Sequence, residues 1–150
     1  MDENKIIREL RSLGFEELEL LIDKVSSFDS IREILYQANL IIFSSSSINH
    51  KKRLALLTSI NKVSLDYDIA FCTAHSLTLS IKVSKELGLH KNLIKDSHKV
   101  IKLWKDILDQ PLAINGLIFA YIDLGLIFSD FNLNSLAIKI DKGVFPVPPK

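Results

Sequence analysis

The chain has 150 residues, of which 47% are hydrophobic and 25% are charged, a composition typical of a globular protein and too apolar for a disordered one. Its 19 basic and 18 acidic residues leave a net charge of +1, so no global field would draw it to nucleic acid or to a membrane surface. The single cysteine, Cys72, excludes an intramolecular disulfide framework and a cysteine-rich zinc site.

Glycine and proline are scarce, and apolar residues recur at helical spacing along almost the whole chain. The pattern predicts eight helices, over about residues 3–13, 16–25, 30–43, 48–63, 66–87, 91–108, 111–128 and 133–142. No stretch alternates apolar and polar residues for long enough to predict a strand. We therefore expect an all-α protein of four antiparallel hairpins over residues 1–143, with an extended, proline-rich tail over residues 144–150.

The seventh predicted helix, Pro111 to Phe128, is apolar enough to be considered as a membrane span, although it is borderline in length. Asn115 and Asp123 would then lie inside the bilayer, where a carboxylate costs roughly 3 kcal/mol. We therefore expect a buried helix of the protein core. The charged N-terminus lacks the apolar core of a signal peptide, so we expect a soluble, cytoplasmic protein with no membrane partner.

One short motif recurs four times along the chain, as LELLIDKV, LLTSINKV, LIKDSHKV and LAIKIDKG, which begin at Leu18, Leu56, Leu93 and Leu136. Asp29, Asp66 and Asp109, which are also candidate helix N-caps, each lie 33 residues before the lysine of a later copy. Chance recurrence of common residues is the alternative, but the constant spacing favours a reused module of two helices. One such hairpin cannot bury its apolar stripe alone, whereas stacked hairpins can, which predicts a solenoid.

The module resembles the tetratricopeptide repeat family in its length of 34 residues, its helical hairpin and its glycine-containing turn. The best local resemblance is Glu86-Leu87-Gly88 leading into Leu93, Ser97 and Val100. The family's Trp-Leu-Gly-Tyr signature in the first helix is absent, so the chain would be a divergent member. The resemblance covers about residues 4–143 and implies a right-handed α-solenoid in which the first helix of each hairpin lines a concave groove.

That resemblance points to partner-binding residues on the first helices: Arg32, Tyr36, Asn39, His75, Thr78, Lys82, Asn115 and Phe119. Side-chain amides in this set could bond the backbone of an extended peptide, and the rings could cover its apolar side chains. We therefore expect a non-catalytic scaffold or adaptor that binds a peptide or partner protein and needs no cofactor or metal. Its tail could fill the groove or dock on a neighbouring copy. A terminal hairpin could form a homodimer, through Ile6, Ile7 and Leu10 or through Phe128 and Phe131.

Signals for chemistry are weak. The four histidines lack metal-ligand spacing, and nothing near Cys72 and His75 marks an orienting group or an oxyanion hole. The basic run Lys51-Lys52-Arg53 could contact an acidic partner, although such runs are usually solvated helix starts. Two alternatives remain. One is an RNA-binding helical-hairpin repeat protein, which the near-neutral charge makes unlikely, and the other is a small helical-bundle enzyme or ligand-binding protein with a pocket around His75 and Cys72.

Overall fold

The computed structural model of the protein describes the backbone of residues 3–89 and 91–141, and side chains within residues 4–89 and 91–131. This part of the chain is helical and holds no strand, which confirms the all-α prediction. Its seven α-helices are α1 (Glu3–Ser12), α2 (Glu19–Asp23), α3 (Ile31–Ser44), α4 (His50–Asp66), α5 (Ala70–Glu86), α6 (Leu93–Lys105) and α7 (Ala113–Asp141). Two 3₁₀ turns, Glu16–Leu18 and Val25–Ser27, flank α2.

The prediction of a separate eighth helix is wrong, because α7 runs without a break through the segment where a turn was expected. That segment, residues 129–132, contains polar residues of low helix propensity but no glycine or proline. Such residues cost only a few tenths of a kcal/mol each within a helix, too little to end one. The fourth predicted hairpin is therefore one long helix in the described range. The tail over residues 144–150 lies outside the described residues.

Local signals set most of the other helix ends. Ser30 caps α3 by accepting a hydrogen bond from the backbone N–H of Glu33 over 3.2 Å. Gly88 follows α5 with φ of 71°, the left-handed conformation that commonly terminates a helix. The predicted cap Asp66 instead ends α4, and α5 begins without a side-chain cap after Asp68, which has φ of 54°.

The helix α5 is central, because it packs against α3, α4, α6 and α7. Short connections make successive helices antiparallel, and α3, α5 and α7 lie side by side. The recurring motif supplies much of the core: its first, fifth and eighth positions are buried in the first and third copies, at Leu18, Ile22, Val25, Leu93, Ser97 and Val100. In those two copies these positions lie in the core, whereas the side chains of the fourth copy are outside the described residues.

The prediction that the C-terminal apolar segment is a buried core helix is also wrong. Ala113–Phe131 contains an 18-residue stretch with a mean hydropathy of 1.5, of which only 11% is buried. By length and composition this part of α7 could cross a membrane. Since α7 packs chiefly on α6 and α5, one side of it faces the core and the rest faces outward. The exposed apolar residues on and next to it are Leu112, Ile114, Ile118, Phe119, Tyr121, Ile122, Leu126 and Phe128.

At the other end of the chain, the apolar patch expected on α1 is not a surface. Of the three residues considered from the sequence for a homodimer contact, Ile6 and Leu10 are fully buried and Ile7 is partly buried against the core, so little of the patch is available.

Candidate functional site

A groove runs along α5 between α3 and α7. It consists of two adjoining cavities, of about 350 Å³ and about 510 Å³, which share Phe43 and Lys82 in their linings. Residues of α5 from Phe71 to Glu86 form its floor, which is roughly 22 Å of helix at 1.5 Å per residue. We call the smaller cavity the aromatic end and the larger one the charged end.

The aromatic end is a cluster of rings contributed by four helices. Tyr36 of α3 stacks at 4.9 Å from the ring of His75, and Phe71 meets Trp104 edge to face at 5.3 Å. Phe119 of α7 completes the lining on the opposite side and is 53% exposed. These interlocked rings present a stiff apolar surface, which loses little side-chain entropy when a ligand covers it.

His75 is neutral at physiological pH. Burial lowers the pKa of its imidazole to about 4, because desolvation disfavours the charged form. Its Nδ1 lies 3.3 Å from the amide Nδ2 of the fully buried Asn39. The Oδ1 atom of Asn39 is buried without a hydrogen-bond partner. His75 thus contributes a neutral, oriented ring to the cavity.

Thr78 and Trp104 are tied together beneath the aromatic end. The indole Nε1 donates to Thr78 Oγ1 over 2.9 Å, and that hydroxyl donates to the carbonyl of Ala74 over 2.8 Å. Both side chains are buried, so their polar atoms are already used within the protein. Their role in the lining is to position the rings.

The charged end contains an ion pair between Lys82 of α5 and Asp123 of α7, with Nζ and Oδ1 2.8 Å apart. The side chain of Lys82 is 31% exposed, whereas Asp123 as a residue is only 9% exposed. The second carboxylate oxygen, Oδ2, is buried and has no hydrogen-bond partner. A buried acceptor without a partner is costly, so this atom marks where a ligand's donor would be stabilised.

The wall of the charged end beside α3 is held by Arg53. Its guanidinium is buried and donates to the carbonyls of Ile42, Phe43 and Ile48 over 2.7, 3.0 and 3.1 Å. Arg53 therefore satisfies carbonyls at the end of α3, where helical partners are lacking. The sequence interpretation of Lys51-Lys52-Arg53 as a solvated helix start is therefore wrong for Arg53.

The structure brings together six of the eight residues proposed as partner-binding from the sequence: Tyr36, His75, Thr78, Lys82, Asn115 and Phe119 all line the aromatic end. The other two support it. Arg32 lies with its guanidinium 4.0 Å from the Phe71 ring centroid and donates to the carbonyl of Pro111 over 3.2 Å. Asn39 is buried beside His75 and lines neither cavity.

Several lining residues escaped the sequence analysis. Leu40 and Phe43 lie four and seven residues after Tyr36, a helical spacing that could have placed them on the same face. Asp123 was considered only as an obstacle to membrane insertion. The sequence offers no marker for Phe71 and Trp104, and only their tertiary neighbours bring them to the cavity.

Cys72, considered from the sequence together with His75, is buried in α5 and lines neither cavity. Burial raises the pKa of the Cys72 thiol to about 12, so the sulfur is a protonated thiol at neutral pH, and it donates to the carbonyl of Arg32 over 3.3 Å. Among the described side chains, no group of three or more histidine, cysteine, aspartate and glutamate residues could hold a metal ion.

No family model matches the chain, and neither a curated protein nor a solved structure matches it. The resemblance to tetratricopeptide repeats stays a prediction from the sequence.

Proposed function

We propose that the protein is a non-catalytic scaffold or adaptor that binds an extended segment of a partner protein in the groove. The observation that carries this proposal is the continuity of the two cavities over Phe43 and Lys82 along α5. A floor of roughly 22 Å accommodates about six residues of extended chain at ~3.4 Å each. A compact small molecule would need one cavity and would leave the other unused.

The chemistry of the two ends indicates what the segment contains. Its apolar or aromatic side chain enters the aromatic end, between Tyr36 and Phe119. The exposed amide of Asn115 is available to bond its backbone. Further along, a backbone N–H or a lysine or arginine side chain donates to Asp123 Oδ2, the buried acceptor without a partner.

The right-handed, tetratricopeptide-like solenoid belongs to the same proposal. In this reading α3, α5 and α7 are the first helices of successive modules, and they follow Asp29, Asp66 and Asp109 in turn. The contacts of α3 with α5, and of α5 with α7, support a layer of such helices lining one side. A cytoplasmic location is also proposed, because a chain with a single cysteine has no disulfide framework of the kind found in secreted proteins.

The ion pairs at the charged end weigh against the RNA-binding alternative. Lys82 pairs with Asp123, and Lys85 lies 3.6 Å from a carboxylate oxygen of Asp130. Two of the groove's cations are thus already offset by carboxylates, whereas a phosphate backbone needs free positive charge. The enzyme alternative placed a pocket around His75 and Cys72, and the protonated thiol of Cys72 weighs against a nucleophile there.

A random-peptide display library screened against the purified full chain tests the proposal. Enriched peptides would be synthesised and their affinities measured by fluorescence anisotropy. Phe119→Ala should weaken binding by about tenfold or more, because it removes an exposed ring from the groove. Phe128→Ala is the matched control, since Phe128 is also exposed on α7 but does not line the groove, and it should change affinity by less than about twofold. The proposal would be overturned by a library without enriched sequences, or by peptides that bind the Phe119→Ala chain as tightly as the unaltered one.

A further inference from the structure

The side of α7 that faces away from both the core and the groove is apolar. We call it the outer face, and it consists of Ile114, Ile118, Tyr121, Ile122, Gly125 and Phe128. Every exposed residue of α7 from Ile114 to Phe128 is uncharged, and only Asn115 among them carries a polar amide. A helix that is apolar on all sides is normally covered on all sides.

The outer face has the spacing of a helix-pairing seam. Counting from Ile114, the residues at 4, 7, 11 and 14 positions further on are Ile118, Tyr121, Gly125 and Phe128. This alternation of four and three is the 3.5-residue period by which one helix packs along another. Phe119 and Leu126, which line the groove, lie on a different side of α7. A partner on the outer face would therefore leave the groove open.

The exposed apolar area is large enough for a dimer. The five apolar residues of the outer face are between 42% and 54% exposed, which leaves about 100 Å² of each uncovered, given residue surfaces on the order of 200 Å². Two copies would bury up to about 1,000 Å² through these residues, which is the area that a specific interface needs. The patch on a single copy, about 500 Å², is as large as the largest patch of a typical monomer.

We infer that the outer face pairs with the outer face of a second copy of this chain, with the two α7 helices antiparallel. Gly125 leaves a notch in the seam, since a Cβ added there would meet nothing within 4 Å. A twofold axis between Tyr121 and Ile122 places Ile118 of each copy opposite Gly125 of the other, so that a large side chain fills each notch. The antiparallel arrangement also sets the two helix dipoles in opposite directions, which is favourable.

The flanks of the outer face fit a protein partner better than lipid. Lys105 of α6 lies beside the seam, with Nζ 5.7 Å from the centroid of the Tyr121 ring, and is exposed. The exposed side of α6 also carries Lys95, Lys99 and Lys102. Because α7 packs along α6, inserting α7 across a membrane in this fold would carry these lysines into hydrocarbon. An apolar seam with a charged rim is the usual anatomy of a protein interface.

Sedimentation of the full chain over a dilution series tests the inference. We expect a dimer whose dissociation constant rises by at least about tenfold in Ile118→Glu, which places a charge in the seam, and in Gly125→Leu, which fills the notch. Both sites are exposed, so the fold tolerates the changes, and circular dichroism of each variant checks this. Leu65→Glu, at a residue of α4 that is 61% exposed, is the control and should leave the dimer unchanged. A monomeric chain, or a dimer that ignores both α7 substitutions, overturns the inference.

Cross-linking tests the antiparallel register. A mixture of Ile118→Cys and Gly125→Cys chains should form a disulfide-linked pair on oxidation, whereas either variant alone should not. Equivalent Ile118 residues would be about 10 Å apart along the axis, beyond disulfide reach. The native Cys72 is buried and gives little background. Self-linking of either single variant overturns the register. Flotation of the unaltered chain with vesicles of phosphatidylcholine and phosphatidylserine, together with a monomeric state in solution, would assign the face to lipid and overturn the inference.

Discussion

The indole ring of Trp104 occupies the space that a side chain at Gly116 would need. A Cβ built at Gly116 would lie 2.5 Å from Cζ2 of the indole, closer than real Cβ atoms approach. This glycine therefore allows α7 to lie directly against α6, and the contact sets the position of Asn115 and Phe119 beside the aromatic end. The fit of α7 to the rest of the fold depends on the absence of one methyl group.

We predict that Gly116→Ala lowers the free energy of unfolding by about 1–3 kcal/mol, because the indole is 1% exposed and has little room to move. Gly125→Ala is the matched control on the same helix, where the added methyl group meets open space. It should instead raise stability by up to about 1 kcal/mol through helix propensity. Urea denaturation of both variants at one low protein concentration measures the difference. Equal effects at the two glycines would contradict the close packing of Trp104.

Part of the groove's lining could be predicted from the sequence by helical spacing alone. Counting from Asp29, Asp66 and Asp109 then selects one face of α3, α5 and α7, and most of the chosen residues do line one cavity. Helical periodicity alone was sufficient for this step. The role of those residues in binding a partner stays a prediction.

What the sequence could not indicate was burial that depends on distant neighbours. Arg53 lies in a run of three basic residues. It is buried and donates hydrogen bonds only because the end of α3 packs beside it. The apolar segment around Ile118 has the same composition whether another element covers it or not. An apolar sequence indicates that a helix is stabilised by packing against other elements. How many elements pack on it depends on the whole fold.

Stability should fall as the solution is acidified, because of His75. Its pKa is about 4 in the folded protein against 6.5 for the unfolded reference, so below pH 6.5 the unfolded chain gains a proton that the folded one does not. The free energy of unfolding therefore decreases as pH falls from 6.5 towards 4, by about 2 kcal/mol between pH 7 and pH 5. Urea denaturation at several pH values measures it.

The control for this effect is His75→Gln, which cannot take up a proton in this range. The variant should be less stable at pH 7, because it loses the ring contact with Tyr36, but its stability should change about 2 kcal/mol less between pH 7 and pH 5. An unaltered pH dependence in the variant would assign the acid sensitivity to other groups.

Arg53 should be far more important for stability than its two neighbours in the basic run. We predict that Arg53→Ala costs about 3 kcal/mol, because three backbone carbonyls lose their charged donor and two of them belong to the end of α3. Lys52→Ala, on the exposed side of the same helical turn, should change stability by less than about 0.5 kcal/mol. Thermal and urea denaturation of both variants compare the two sites. A small effect at Arg53 would contradict its role as the donor that completes α3.

The two partners of the Lys82–Asp123 ion pair should differ in what their removal costs. Lys82→Met leaves a buried carboxylate whose second oxygen already has no partner, so we predict a loss of about 2–3 kcal/mol. Asp123→Asn leaves Lys82, which is 31% exposed and can turn its ammonium group into solvent, so the loss should be about 1 kcal/mol. The double variant should be more stable than Lys82→Met alone, because it removes the stranded charge. Urea denaturation of the three variants completes the double-mutant cycle. Equal losses of stability for the two single variants would contradict the expected difference between Lys82 and Asp123. If the groove binds a cationic or N–H donor at Asp123 Oδ2, Asp123→Asn should also weaken the selected peptides while Lys85→Met should not.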